Sequence, residues 1–123
     1  MTFQSFESLE LWKWACRLAV TVFEVLRDVK ELSLRDQMQR AAVSIASNIA
    51  EGSERSRKDF LRFLTFARGS SSELRTQCYI ASRIELISQD HMDRVVEETK
   101  EINRMLVGLS RAIRKRITKD TET

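Results

Sequence analysis

Residues 57–88 read RKDFLRFLTFARGSSSELRTQCYIASRIELIS. Along this stretch Phe60, Phe63, Ala67, Ser70, Leu74, Gln77, Ala81 and Ile84 recur at alternating steps of three and four residues. An α-helix turns about 100° per residue, so this spacing holds all of them on one face. It predicts one continuous helix from about Arg57 to Ser88, packed along a coiled-coil-like seam with two polar members, Ser70 and Gln77. Ser56 and Asp59 stand at capping-box spacing just before it, with aspartate in place of the usual glutamate. Gly69 lies inside the stretch, but the seam keeps phase across it, which favours an unbroken helix.

Three further helices flank this one. Leu9, Trp12, Cys16, Ala19, Phe23 and Leu26 repeat the three-four pattern, predicting a helix from about Glu7 to Val29. A second row, Leu11, Ala15, Leu18 and Val22, widens its apolar arc. Leu34, Met38, Ala41, Ala42, Ile45 and Ile49 predict a helix from about Leu34 to Glu51, with Ser33 and Asp36 at its start and Gly52 at the left-handed position past its end. Met92, Val95, Thr99, Ile102, Leu106, Leu109 and Ile113 predict a last helix from about His91 to Thr118, with Asp90 as its cap and a frayed tail over Lys119–Thr123. The links are short, and short links between long helices force antiparallel neighbours. The expected fold is all-α: an up-down-up-down four-helix bundle, one domain over residues 1–123.

Composition agrees. The chain has no proline and three glycines among 123 residues, which is hard to fit to a turn-rich β fold. With 42% hydrophobic and 32% charged residues it reads as globular. Cys16 and Cys78 fall on apolar helix faces and read as buried free thiols of a reducing cytoplasm, with a disulfide or redox role as the alternative. Two cysteines and the lone His91 are too few and too scattered for a zinc site. The N-terminus lacks a signal-peptide pattern, and no run approaches about 18 uncharged apolar residues, so the expected location is the cytoplasm, with no membrane partner.

Three features invite function. On the second helix Gln37, Arg40, Ser44, Asn48 and Glu51 form a strip roughly 80° wide that flanks the apolar face. Buried polar groups need partners, and Arg68, Ser70, Ser71, Glu73 and Gln77 of the third helix are candidates. A register-fixing network and a binding surface both fit. Next, the apolar surface exceeds one core. Phe60, Leu61, Phe63, Leu64, Phe66 and Ala67 sweep an arc of roughly 220°, and Trp12 and Trp14 point about 200° apart. Trp14 and Phe66 are therefore candidates for an interface between copies, against the plainer reading of a thick core or an exposed tryptophan. Finally, Arg104, Arg111, Arg114, Lys115, Arg116 and Lys119 lie in a run with no acidic residue. Cations near a helix C-terminus are favourable in themselves, and they are also what a phosphate backbone attracts. A second basic cluster, Arg55, Arg57, Lys58 and Arg62, is interleaved with Glu54 and Asp59 and reads as a solvated face. No phosphate-binding glycine loop, helical Glu-x-x-His pair or Ser/His/Asp set is present. The expectation is a protein that is not an enzyme, with no cofactor and no metal.

The segment QMQRAAVSIASNIAEG, residues 37–52, resembles the signature of the bacterial four-helix bundle proteins encoded in 23S rRNA intervening sequences, roughly Q-x-x-R-A-x-x-S-I-x-x-N-I-A-E-G. Phe6, Leu9, Trp12 and Lys13 match near the start, as do Phe60 to Phe63, Ala67-Arg68-Gly69-Ser70, Glu73-Leu74 and Gln77 later. Ala46 departs from the pattern, where the family often has proline, and implies a straighter second helix. The resemblance implies an up-down bundle and a homopentamer. It also implies similarity to the accessory variability protein of diversity-generating retroelements, a basic bundle that associates with reverse transcriptase and nucleic acid. Two functional expectations follow. One is an oligomeric bundle that contacts RNA or DNA through basic surfaces. The other is a protein-protein adaptor, with a reverse-transcriptase-like or other protein as partner and no direct nucleic-acid contact.

Overall fold

A computed structural model of the chain describes residues 6–122. A short 3₁₀ turn, Phe6–Ser8, leads into four helices: α1 (Glu10–Val25), α2 (Leu32–Ser53), α3 (Arg57–Arg83) and α4 (Gln89–Glu122). The backbones of α1 and α3 each approach those of α2 and α4, and no close approach crosses either diagonal among the described residues. The helices thus stand at the corners of a square. Ser44 meets Ser70 and Gly52 meets Phe63, so α2 and α3 run antiparallel. Arg57 pairs with Asp120 while only five residues separate Arg83 from Gln89, which sets α3 against α4 the same way.

The seams of α2, α3 and α4 supply most of their share of the core, but α1 buries its second row, Leu11, Ala15, Leu18 and Val22, while the first row is half-buried or, at Phe23, exposed, apart from Leu26. Leu18, Leu26, Met38, Ile45, Ile49, Leu64, Leu74, Ile102 and Leu106 are fully buried. Each such side chain removed from water stabilises the fold by roughly 1.5–3 kcal/mol. α3 passes through Gly69 without a break, capped at its start by Ser56, whose hydroxyl accepts the Asp59 amide at 3.2 Å.

The helix ends depart from expectation, each for a local reason. α1 is shorter at both ends than residues 7–29: Leu9 is extended, and the chain leaves the helix after Val25. Leu26 and Val29 are nevertheless buried, because a turn folds them back onto the core. α2 starts earlier, since the Glu31 carboxylate, not Ser33, takes the capping role by accepting the Ser33 amide. α4 starts at Gln89, where the Ser88 hydroxyl, not Asp90, accepts the amide of His91. It then continues as helix to Glu122, through most of the tail expected to fray.

α3 stops at Arg83 instead of Ser88. Glu85 takes a left-handed conformation, φ 64°. The Leu86 amide donates to the Ala81 carbonyl at 2.8 Å and the Glu85 amide to that of Ser82 at 3.1 Å. This pair of bonds is the Schellman closure, usually built on glycine. It turns Ile87 into the core and leaves Ile84, the last residue of the predicted seam, 55% exposed.

Gly52 does not end α2. It is helical, without positive φ, and buried against α3. A Cβ placed there would lie 2.6 Å from the Phe63 Cβ, and both atoms are fixed to helix backbones. Only glycine permits this approach. Two substitutions should therefore act in opposite directions. Gly52→Ala should destabilise by about 1–3 kcal/mol, because α2 and α3 must part. Glu85→Gly should stabilise by about 1 kcal/mol, by relieving the left-handed residue. Urea unfolding followed by circular dichroism measures both.

Candidate nucleic-acid interface

Antiparallel packing brings the N-terminus of α3 and the C-terminus of α4 to one end of the bundle. Arg55, Ser56, Arg57 and Lys58 border a shallow depression with Ile117, Asp120 and Thr121. Most cations on the α3 side are answered by acids: Arg55 by Glu51, Arg57 by Asp120 and Arg62 by Asp59. Their field is largely cancelled locally, as the interleaved acids imply.

The α4 side differs. Arg111, Arg114, Lys115 and Lys119 recur at helical spacing and, with Thr118, line an open depression of about 330 Å³. All are exposed, and none forms an ion pair among the described residues. Of the six cations read from the sequence, these four are brought together. Arg104 is set apart, held by Glu101 one turn away. Arg116 is exposed but does not line the depression.

The strip on α2 divides. Ser44 and Asn48 turn toward α3: the Ser44 and Ser70 hydroxyls lie 2.9 Å apart, and Asn48 Nδ2 donates to the Ser44 carbonyl at 2.8 Å and hydroxyl at 3.0 Å. Glu73 accepts from Gln77 at 3.3 Å along α3. Gln37, Arg40, Glu51 and Arg68 are exposed and join no such network across the helices. A polar contact therefore ties α2 to α3 through Ser44, Asn48 and Ser70, while Arg40 lies in a cleft facing α1.

Trp14 and Phe66 also separate. Trp14 is half-buried against the core beneath the Arg17 guanidinium, 5.0 Å from the ring centre, and Trp12 is half-buried against Phe6. One bundle thus shelters both tryptophans in part, which the 200° estimate from helix geometry did not anticipate. Phe66 remains 48% exposed beside Phe63. Cys78 is buried, and its thiol is pushed up to about 12 by that burial; Cys16 shifts the same way, and both are free thiols. Among the described residues no His, Cys, Asp and Glu group could hold a metal ion, and no helix is long and apolar enough to cross a membrane.

A model of the 23S rRNA-intervening sequence protein family matches residues 7–108. The chain belongs to this family. The match includes the Gln37–Gly52 signature and ends before Arg111, so the basic depression lies outside it. A crystal structure from Bacteroides thetaiotaomicron VPI-5482, described as a protein of unknown function from the S23 ribosomal protein family, has the same fold: TM-score 0.77 at 24% identity, over 81% of this chain and 97% of that one. No curated protein matches the chain.

Sequence reading passed over one half-buried acid of this family member, Glu98, which sits between α4 and α1. Its Oε2 is shut off from solvent and carries no hydrogen bond. Thr21, which is buried on α1, lies within reach of the carboxylate, but its hydroxyl also donates to the Arg17 carbonyl at 3.1 Å. Burial raises the Glu98 pKa and Glu24 adds to the shift, while Arg94, the Thr21 hydroxyl and Arg17 oppose it. A raised native pKa means that the folded chain binds this proton more tightly than the unfolded chain. The resulting stability is present at low pH and is lost as pH rises through the native value. Glu98→Gln should therefore unfold at higher urea than the parent at neutral pH, and the difference should vanish below about pH 4. Urea midpoints across that range test it.

Proposed function

We propose that the protein is a non-enzymatic oligomeric bundle that binds RNA or DNA through the exposed basic face of α4. One observation supports this above the others: Arg111, Arg114, Lys115 and Lys119 share a solvent-facing depression without acidic partners. Cations four residues apart stand about 6 Å from each other along the axis, close enough for several to engage one phosphate backbone. Lys119, in the last turn of α4, is also favoured there by the helix dipole. Assembly into a homo-oligomer, a pentamer by family resemblance, would repeat the stripe around a ring and add its fields together. Phe66 and Ile80 are exposed apolar residues on α3 that such an assembly would cover.

A second reading is a protein-protein adaptor with no nucleic-acid contact. The exposed pair Phe23 of α1 and Val43 of α2, which line one cleft, favours it.

The charged stripe gives the first reading its test. Binding of a fluorescent RNA or DNA oligomer should weaken steeply with salt, its logarithmic slope falling by roughly 0.7–0.9 per phosphate contact. Reversing Arg111, Arg114 and Lys115 to glutamate should flatten that slope by about 2–3 and leave the unfolding midpoint nearly unchanged. A folded protein that binds no oligomer at low salt would refute nucleic-acid contact and leave the adaptor. Light scattering should return several times the 14.3 kDa of one chain. A mass of one chain at micromolar concentration would remove the oligomer from the reading.

A further inference from the structure

The signature strip on α2 is only partly used by the contact with α3, and its remaining residues border a distinct feature. Between α1 and α2 lies an open cleft of about 530 Å³. Phe23 and Val43 form its apolar walls, one from each helix, and are 46% and 44% exposed. Val20, one turn before Phe23 on α1, is 57% exposed but does not line the cleft. Two charged residues line the cleft, Asp36 and Arg40. The Asp36 carboxylate is already faced by Arg35 at 3.9 Å, whereas Arg40 forms no ion pair among the described residues. The Ser44 hydroxyl is held by Ser70 and Asn48, which leaves Ser47, also lining the cleft, as the exposed hydroxyl.

We infer that this cleft docks one amphipathic helix of a partner protein, with a carboxylate of that helix seated on Arg40 between apolar side chains packed on Phe23 and Val43. The inference rests on the adaptor reading and names the chemistry of its partner. The lining residues of α2 run from Asp36 to Ser47, about 16 Å or three helical turns, long enough for apolar anchors at one-turn spacing. Two helices side by side leave the kind of groove into which a third packs. A single unanswered cation between apolar walls selects an acidic amphipathic helix over a basic one. A nucleic-acid strand fits less well, because the cleft offers one free cation and an acid where a backbone needs a run of cations.

The probe is an alanine-based amphipathic peptide of about four turns, with leucines along one face and a single glutamate among them; companion peptides carry glutamine or lysine at that position. Titration into the fluorescently labelled full chain should show the glutamate peptide binding about tenfold more tightly than the glutamine peptide, and the lysine peptide weaker still. Arg40→Glu should invert the order, and Phe23→Ala should weaken all three. Both residues are exposed, so circular dichroism should be unchanged. Equal affinities, an order that Arg40→Glu does not alter, or no binding by any peptide would overturn the assignment. If Arg40→Glu or Phe23→Ala instead lowers the mass seen by light scattering, the cleft is occupied by a second copy, and the partner-helix assignment is equally wrong. Capture of proteins from nuclease-treated lysate that persists in Arg40→Glu would keep the adaptor reading while rejecting this cleft. Loss of all capture by the parent chain would reject both.

Discussion

The closeness of α2 and α3 governs this bundle. At Gly52 the helices come so near that a single added carbon would strike the Phe63 Cβ. Farther along, two serine hydroxyls meet at 2.9 Å, a distance that longer side chains would forbid. Ala41, Ala42 and Ala67 are buried on the same two helices, so small residues occur along much of the contact. Such a contact gains dispersion energy over its whole length but tolerates little error in register. The Ser44–Ser70 bond helps to fix that register, because a slide by one turn would break it and take this partner from Ser70. The placement of α1 and α4 follows, since each packs on one member of this pair.

Much of this was legible in the residues. Periodicity located all four helices and most of the core, and it does so because burial in a bundle follows the three-four repeat whatever the loops do. The ends were harder. Ile84 continues the apolar rhythm of α3, yet the chain has already turned away, because Glu85 takes a left-handed position usually given to glycine. Gly52 misled in the opposite sense: a glycine near a helix end looks like a stop, and only the facing Phe63 reveals that space was the reason. Leu26 and Val29 kept the periodicity of burial after the helix itself had ended. Sequence spacing reports which residues are buried more faithfully than it reports where hydrogen bonding stops.

The candidate site was legible in part. Charge composition singled out the end of α4, but spacing alone could not separate Arg104, engaged by Glu101, from Arg111, Arg114, Lys115 and Lys119. The polar strip of α2 was visible as a strip. That it splits between a contact with α3 and a cleft toward α1 depends on which neighbours stand beside it. Glu98 gave no sequence signal, because one glutamate on a charge-rich helix looks like any other until Thr21 and Arg17 enclose it. Family membership draws another line. The matched region holds the α2 signature and stops short of the basic depression, although α4 itself runs on through it to Glu122.

α4 is the longest helix, 34 residues against 16 in α1. At 1.5 Å per residue it extends about 51 Å, and α1 about 24 Å. The basic depression therefore belongs to the same continuous screw that threads the core through Ile102 and Leu106. A screw couples rotation to advance. Inserting one residue near Gly108 would swing every cation beyond it by about 100° around the axis. Substitutions in that tail can raise or lower its charge freely, but any change in its length re-aims it. Descendants of this sequence are thus free to retune the strength of the surface by point changes, while its direction is inherited from the count of residues back to the core.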